Sequence, residues 1–260
     1  KNMAGQRPCR AHGSGRKRVP CLNNDTLYHT SPAMNAFLKT FEDPAAVQRY
    51  AEGPPRFMPG YADMQRMAAI LLAEHAPEDA EILVLGAGGG LEMKVFAEMQ
   101  PSWRFVGVDP AGEMLKLARV TLGPMADRAR WVEGYIDDAP PGPFGGGACL
   151  LTLHFLERAE RLRTLREIRA RLAPGAPFVA AHSSFPQDPG KRETWLGRYT
   201  AFGIAKGADP EQAIGAGKAV GENLDLLSPE ADAALMVEAG FSDVELFYAA
   251  FTWRGWIARA

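Results

Sequence analysis

The feature that most constrains this chain is a glycine-rich turn between two apolar runs. Residues 81–85 are a short apolar segment, residues 86–90 read Gly-Ala-Gly-Gly-Gly, and a second apolar run ends at Asp109. Because glycine lacks a Cβ atom, such a turn lets the backbone bend sharply and approach a ligand closely. This pattern is typical of a nucleotide-containing cofactor held at the carboxyl edge of a parallel sheet.

The spacing of the glycines narrows the choice of cofactor. A dinucleotide fingerprint has the form G-x-G-x-x-G, whereas Gly86, Gly88 and Gly90 form G-x-G-x-G and Leu91 occupies the later position. S-adenosylmethionine (SAM) has no pyrophosphate that needs a helix N-terminus, so the spacing favours SAM over NAD. Asp109 is then expected to accept the ribose hydroxyls. An ordinary strand-to-helix turn is the alternative interpretation of the glycines alone.

Composition and charge limit the class of protein. The chain has 260 residues, 47% of them hydrophobic, which predicts a single domain with one sizeable core. No apolar run is long enough to span a bilayer, and there is no secretory signal. The three cysteines have no metal-ligand spacing, which fits a reduced, cytoplasmic setting.

The net charge of −2 is unevenly distributed along the chain. Residues 1–33 carry six basic residues against Asp25 alone, so the remainder is acidic. An acidic body is a poor binder of a nucleic-acid backbone. Residues 1–33 lack hydrophobic periodicity and are predicted to be a leader that is disordered or introduced for expression. Contact of this basic leader with nucleic acid is the less favoured alternative.

The rest of the chain alternates between strand and helix patterns. Strands are predicted at 81–85, 104–108, 130–133, 147–152, 177–182, 243–249 and 251–258, and helices at about 91–99, 111–121, 157–172 and 230–239. The alternation predicts a doubly wound α/β fold with a mostly parallel seven-stranded sheet that ends in an antiparallel hairpin. The arginines of helix 157–172 are interpreted as a solvated face paired with nearby glutamates.

Two segments interrupt the alternation and are predicted to be cap elements of a single domain over 34–260. The first, 34–75, includes a helix at 62–75. The second, 183–228, is too long for a plain connection and is expected to fold as a helical cap over the sheet edge. Trp195 and Tyr199 in this cap either pack internally or contact a substrate.

The order of these motifs resembles the class I SAM-dependent methyltransferases. The glycine loop and the acid are followed by a helix ending in Leu-Ala-Pro-Gly at 172–175, and a last helix runs into Ala-Gly-Phe at 239–241. The resemblance covers about residues 57–260. It implies a methyltransferase fold with SAM as the cofactor.

Within that superfamily, four short segments are similar to the carboxy-SAM synthase group, which modifies SAM for maturation of the tRNA wobble uridine. They are Pro-Gly-Tyr at 59–61, Glu-Gly-Tyr-Ile at 133–136, Thr-Leu-His-Phe-Leu-Glu at 152–157, and Glu-Asn at 222–223. That group places an arginine near Lys218 for a carboxylate, and prephenate is its carboxyl donor. A lysine cannot supply the bidentate fork that suits a carboxylate, so ordinary SAM is favoured.

The resemblance implies a set of cofactor-binding residues, namely Tyr61, Gly86, Ala87, Gly88, Asp109, Pro110, Met114, Tyr135, Ile136 and Leu150. Pro110, Tyr135 and Ile136 are expected beside the adenine. The superfamily commonly has an acid after the glycine at 134, where this chain has Tyr135. Asp137 and Asp138 are the candidate substitutes.

Methyl transfer is an in-line displacement, in which the enzyme positions the acceptor and can remove its proton. His154, at the end of the fourth strand, is the candidate catalytic base, since the ordinary pKa of histidine suits the task. His182, on the same sheet edge, is the second candidate. A histidine that is merely hydrogen-bonded at a strand end is the alternative. Candidate substrate contacts are Trp195, Tyr199 and Lys218.

The sequence therefore leaves a ranked set of functions. The leading hypothesis is a SAM-dependent methyltransferase that acts on a small-molecule acceptor. The alternatives are a SAM-modifying enzyme of the carboxy-SAM synthase type, a SAM-binding protein without transfer activity, and an NAD-linked oxidoreductase. No metal is expected, because no cluster has metal-ligand spacing. A membrane partner is not expected, and a homodimer is left open.

Overall fold

The computed structural model describes residues 41, 43, 47 and 50–260. The predicted leader 1–33 lies outside these residues, as does most of the segment 34–49. In the described part of the chain, a central sheet is covered by helices on both faces, and further helices cover its carboxyl edge.

The sheet has seven strands in the order β3-β2-β1-β4-β5-β7-β6. The strands are β1 (Glu81–Leu85), β2 (Arg104–Asp109), β3 (Ala129–Glu133), β4 (Gly146–Leu150), β5 (Pro177–Ser183), β6 (Ser242–Ala250) and β7 (Trp253–Arg259). The first five are parallel, and β7 runs antiparallel between β5 and β6. The predicted mixed sheet with a terminal hairpin is confirmed. The strand order reverses between β1 and β4, and ligands of such sheets bind at this point.

The helices are α1 (Gly53–Phe57), α2 (Tyr61–Ala73), α3 (Leu91–Met99), α4 (Gly112–Leu122), α5 (Arg158–Arg171), α6 (Lys191–Ala205), α7 (Pro210–Asn223) and α8 (Pro229–Glu238). Alternating residues of β1 enter two separate cores: Ile82 packs with α2 and α3, and Leu83 packs with α5 and α8. Because both faces of β1 are buried, its sequence is continuously apolar rather than alternating.

The fourth strand is shorter than the sequence predicted. It ends at Leu150, since Leu151 has a φ of 57° and turns the chain away from the sheet. Residues Leu153–Phe155 then form one turn of 3-10 helix. His154 therefore lies on a turn that follows the strand.

The helices α6 and α7 lie within 183–228, where a helical cap was predicted, and together with α1 they form what we call the cap. The ring of Phe57 stacks on Tyr199 of α6, with centroids 4.9 Å apart. A Cβ on Gly203 would overlap the Phe57 ring, so this approach requires a glycine. The hydroxyl of Tyr248 donates to the carbonyl of Pro59, and Nε1 of Trp253 donates to that of Phe57 at 2.9 Å. The cap is thus fixed to the last two strands.

Candidate active site

A cleft of about 900 Å³ opens at the carboxyl ends of β1, β2 and β4. We call it the cofactor cleft. Its lining includes most of the predicted cofactor residues, namely Gly86, Gly88, Asp109, Pro110, Met114, Tyr135, Ile136 and Leu150. Ala87 is fully buried behind the loop, and Tyr61 is buried with its hydroxyl accepting a hydrogen bond from Gln65 at 2.9 Å. Neither of these two residues lines the cleft.

The glycine loop takes a backbone path that side chains would block. Gly86 and Gly88 have φ values of +73° and +47°, a region that favours glycine. A Cβ on Gly86 would also overlap the hydroxyl of Thr152. The loop therefore offers bare backbone to a ligand in the cleft.

The carboxylate of Asp109 is held by two backbone groups. Oδ2 accepts the N–H of Gly88 and Oδ1 accepts that of Ala111, both at 2.9 Å. Burial raises the pKa of Asp109, and these two hydrogen bonds oppose that rise. A carboxylate has about four acceptor positions, so Asp109 retains acceptor capacity for two ribose hydroxyls.

Asp137 and Asp138, the candidate substitutes for the missing acid, are both hydrogen-bonded within the protein. The carboxylate of Asp138 accepts the N–H of Tyr135 at 2.9 Å, and Asp137 binds both terminal nitrogens of Arg163. Neither aspartate is among the described residues that line the cleft, whereas Glu160 of α5 is.

Glu92, in the first turn of α3, is a buried carboxyl group that the sequence analysis missed. It is 7% exposed, and burial, with a smaller contribution from Asp109, raises its pKa to about 8. Burial likewise raises the pKa of the neighbouring Tyr50 and Tyr61 phenols. A glutamate in a first helical turn usually faces solvent, so no local signal marked it.

A second cavity of about 1100 Å³ lies beneath the cap, and we call it the acceptor chamber. It shares Phe41, Tyr50, Leu151 and Phe155 with the cofactor cleft. Its other described lining residues are Gly53, Pro54, Phe57, His154, Ser183, Tyr199, Ala216, Ala219, Val220, Asn223, Leu224 and Trp253. The described lining contains no lysine, arginine, aspartate or glutamate.

His154 reaches the acceptor chamber from the turn after β4. It is 4% exposed, and its Nδ1 accepts the N–H of Ser183 at 3.3 Å. The edge of its ring meets Trp253, with centroids 5.8 Å apart. Burial, together with His182 and Arg161, holds the pKa of His154 well below its usual value.

Comparisons with known proteins agree with this geometry. Residues 82–175 match the family described as a methyltransferase domain. Over 243 residues the chain is 27% identical to carboxy-S-adenosyl-L-methionine synthase of Erwinia tasmaniensis, covering 91% of this chain and 97% of that protein.

Two solved structures share the fold. An O-methyltransferase family protein from Burkholderia thailandensis has a TM-score of 0.64 at 15% identity, covering 85% of this chain and 61% of that one. Human N-acetylserotonin methyltransferase in complex with SAM has a TM-score of 0.58 at 14% identity, covering 88% and 60%. The chain thus spans less than two thirds of both solved structures.

The chain has the fold of the class I SAM-dependent methyltransferases, and its residues 82–175 match a methyltransferase domain. The glycine loop and Asp109 fit SAM, because the loop leaves room for close backbone approach and the carboxylate keeps free acceptor positions. Within the described part of the chain, no cluster of side chains could hold a metal ion. No helix there has the length and apolar character needed to cross a bilayer.

The three predicted substrate residues lie in different places in the structure. Tyr199 lines the acceptor chamber. Trp195 lies outside both cavities, with the guanidinium groups of Arg198 and Arg254 4.4 and 5.5 Å from its ring centroid. Lys218 is exposed on α7, where its Nζ is 3.9 Å from Glu222. The inward face of α7 carries small apolar residues, and Lys218 lies on another face.

Behind His154, the structure contains a buried ion pair. Nη1 of Arg161 is 2.6 Å from Oδ1 of Asp232, and Nε2 of His182 is 3.2 Å from the same oxygen. Burial would raise the pKa of Asp232, but His182 and Arg161 outweigh it and hold the pKa at about 2. Arg161 also donates to the carbonyls of Leu156 and Asp225.

The assignment of the α5 arginines to a solvated face is therefore wrong for Arg161, which is fully buried. His182 lies in this cluster and does not line the acceptor chamber. Arg161 joins the turn that carries His154 to the segment that leaves the cap. Its role in the described structure is to fix these two segments relative to each other.

Proposed function

We propose that this protein transfers the methyl group of SAM to a small, mostly apolar acceptor bound in the acceptor chamber. The observation that carries this proposal is that the two cavities adjoin each other, since Phe41, Tyr50, Leu151 and Phe155 line both. A cofactor anchored at Asp109 and an acceptor under the cap would meet beside these four residues. When bound, SAM supplies an electrophilic methyl group.

The side chains of the chamber suit positioning of an acceptor. Phe57, Tyr199 and Trp253 provide a rigid aromatic surface, because the first two stack and the third is hydrogen-bonded to the backbone of Phe57. Such walls exclude water and restrict the orientation of a small substrate, and orientation supplies much of the rate in a displacement reaction.

The absence of a cation from the described chamber lining supports methyl transfer over carboxy-SAM synthesis. Burial of a carboxylate without a partner costs several kcal/mol. A dicarboxylate such as prephenate would enter a chamber with no lysine or arginine on its described walls. Lys218, the candidate partner for a carboxylate, lies outside the chamber beside Glu222.

A second candidate is a SAM-modifying reaction of the carboxy-SAM synthase type. The similarity to the Erwinia tasmaniensis synthase favours it, since that similarity extends over 97% of the relative. The chamber chemistry and the global similarity therefore favour different reactions at one cofactor site.

Mass spectrometry of the ligand retained by the purified protein separates these candidates. We expect SAM or S-adenosylhomocysteine (SAH), with release of SAH when SAM is incubated with small aromatic acceptors. Retained carboxy-SAM, or its formation from SAM and prephenate, would overturn methyl transfer in favour of the second candidate. Retained SAM without SAH release across the acceptor panel would indicate a SAM-binding protein without transfer activity. Retained NAD would show that the assignment of SAM as the cofactor is wrong.

A further inference from the structure

The imidazole of His154 lines the acceptor chamber, and one of its two nitrogens is hydrogen-bonded within the protein. Nδ1 accepts the N–H of Ser183 at 3.3 Å. A ring nitrogen that accepts a hydrogen bond carries no proton, so the proton of the neutral ring is on Nε2. No described residue pairs with Nε2, and His154 lines the chamber.

Burial and the neighbouring titratable groups together keep the ring of His154 neutral. The groups that face it are His182 from β5, Arg161 from α5 and Asp232 from α8. Burial, His182 and Arg161 lower the pKa of His154, and Asp232 opposes them without reversing the shift. A neutral ring with its lone pair committed to Ser183 donates a hydrogen bond and has no lone pair free to take a proton.

The other polar residues of the chamber offer no substitute base. Asn223 has an amide side chain, and Ser183, Tyr50 and Tyr199 have hydroxyls. Burial raises the pKa of Tyr50 and of Tyr199 further above the usual value, so both phenols are protonated at neutral pH. Within the described lining, the chamber therefore supplies hydrogen-bond donors and no general base.

We propose that His154 binds the reacting oxygen of the acceptor through Nε2–H, and that the acceptor is a phenol-type compound that reacts as its phenolate. This deepens the proposed function and rests on it. The hydroxyl proton passes to solvent before transfer. The phenolate oxygen then donates an electron pair to form the C–O bond, and the C–S bond breaks with its pair staying on sulfur. A phenolate and a sulfonium thereby become a neutral ether and SAH.

The shape and polarity of the chamber select a phenol among oxygen acceptors. A flat ring fits between walls that include the stacked pair Phe57 and Tyr199. A phenol has an ordinary pKa of about 10, which one hydrogen-bond donor and the nearby sulfonium can lower. An aliphatic alcohol ionises too weakly to react without a base, and a carboxylate brings a second charged oxygen that needs a further donor.

The tautomer of His154 is measured by NMR of ¹⁵N-labelled imidazoles in the intact protein, with His154→Gln to assign the signal. We expect the Nε2–H tautomer and no titration of this ring between pH 5 and 8. The exposed His75 is the control for the assignment, because His75→Gln should remove a different signal and leave that of His154 in place. An Nδ1–H tautomer, or an imidazolium near neutral pH, would overturn the donor assignment whatever the cofactor result.

The acceptor class is tested with 4-nitrophenol as the probe, added to the SAH-loaded protein and followed by its phenolate absorbance. Because SAH carries no sulfonium, this complex isolates the donor. The wild type and His154→Gln, which keeps a donor but cannot act as a base, should bind the phenolate with a lower apparent pKa than His154→Phe does. His154→Phe should bind it about tenfold more weakly. Equal binding by His154→Phe, no binding by the wild type, or a preference for benzoate would contradict the proposal while leaving SAH retention intact.

Discussion

The N–H of Gly88 donates to Oδ2 of Asp109 at 2.9 Å, so the turn after β1 and the end of β2 hold each other in place. The two halves of the sequence motif are thus one physical unit, in which the acid orders the loop as well as facing the ligand. Substitution of either partner should affect both the shape of the cleft and its affinity.

Replacement of Asp109 by alanine should weaken SAH binding. The variant loses a charged acceptor for the ribose and releases the N–H groups of Gly88 and Ala111. The expected loss is roughly 1.5–3 kcal/mol, typical of a hydrogen bond to a charged group. Isothermal titration calorimetry measures it, with the exposed Asp79→Ala as the control. Unchanged affinity of Asp109→Ala would remove this residue from the site.

Gly86→Ala should destabilise the protein more than Gly207→Ala. Both glycines have a positive φ, but only at Gly86 would the added methyl overlap a neighbour, the hydroxyl of Thr152. Left-handed strain costs about 1–2 kcal/mol in both variants, and overpacking adds about 1–3 kcal/mol in the first. Urea unfolding compares the two. Equal losses would show that Thr152 moves aside without cost.

The free energy of unfolding should fall less steeply with rising pH in Glu92→Gln than in the wild type. The folded protein keeps the Glu92 proton up to about pH 8, whereas an unfolded chain releases it near 4.5. The unfolded state therefore binds fewer protons between these values, and the free energy of unfolding falls as pH rises. Unfolding is measured from pH 5 to 8, with Glu98→Gln on the exposed face of α3 as the control. Parallel curves for wild type and Glu92→Gln would contradict the shifted pKa.

Arg161→Met should be strongly destabilising, because it removes the guanidinium partner of the buried Asp232 carboxylate and leaves His182 and Ser184 beside it. Loss of one partner of a buried ion pair costs about 3–5 kcal/mol. Chemical denaturation should show that the double variant Arg161→Met/Asp232→Leu regains part of this loss, and that the exposed Arg166→Met changes little. If the double variant were less stable than either single variant, the uncompensated charge would not be the cause.

Lys218→Arg should not create carboxy-SAM synthesis, although arginine provides the fork that suits a carboxylate. The side chain at this position extends to solvent beside Glu222 and does not reach the chamber. Mass spectrometry after incubation with SAM and prephenate measures the product. Carboxy-SAM formed by this variant and not by the wild type would show that α7 turns its Lys218 face toward the site.

Much of the fold was predictable because short patterns of apolar residues and glycines indicate where strands begin and end. β1 was predicted with its observed bounds, since a short apolar run followed by glycines has few other uses. Asp109 was predictable for the same reason. The early end of β4 was not predictable, because a leucine rarely adopts a positive φ and the residue type of Leu151 therefore gave no sign of it.

The site beyond the motif depended on contacts between distant segments. The burial of Glu92 and Arg161 comes from elements that pack over their helices, and both residues look like surface residues in helical periodicity. The exposed position of Lys218 follows from the rotation of α7, which the small residues on its inner face set. The hydrogen bond to Nδ1 of His154 comes from Ser183 of β5, a segment far from His154 in the sequence.

The hydrogen bond from Trp253 to Phe57 makes the two cavities depend on different parts of the chain. Every described residue that lines the cofactor cleft precedes residue 165. The aromatic wall of the acceptor chamber needs Trp253 of β7 as well as Phe57 and Tyr199. Changes in the last two strands should therefore alter the space for an acceptor while leaving the residues that face the cofactor unchanged.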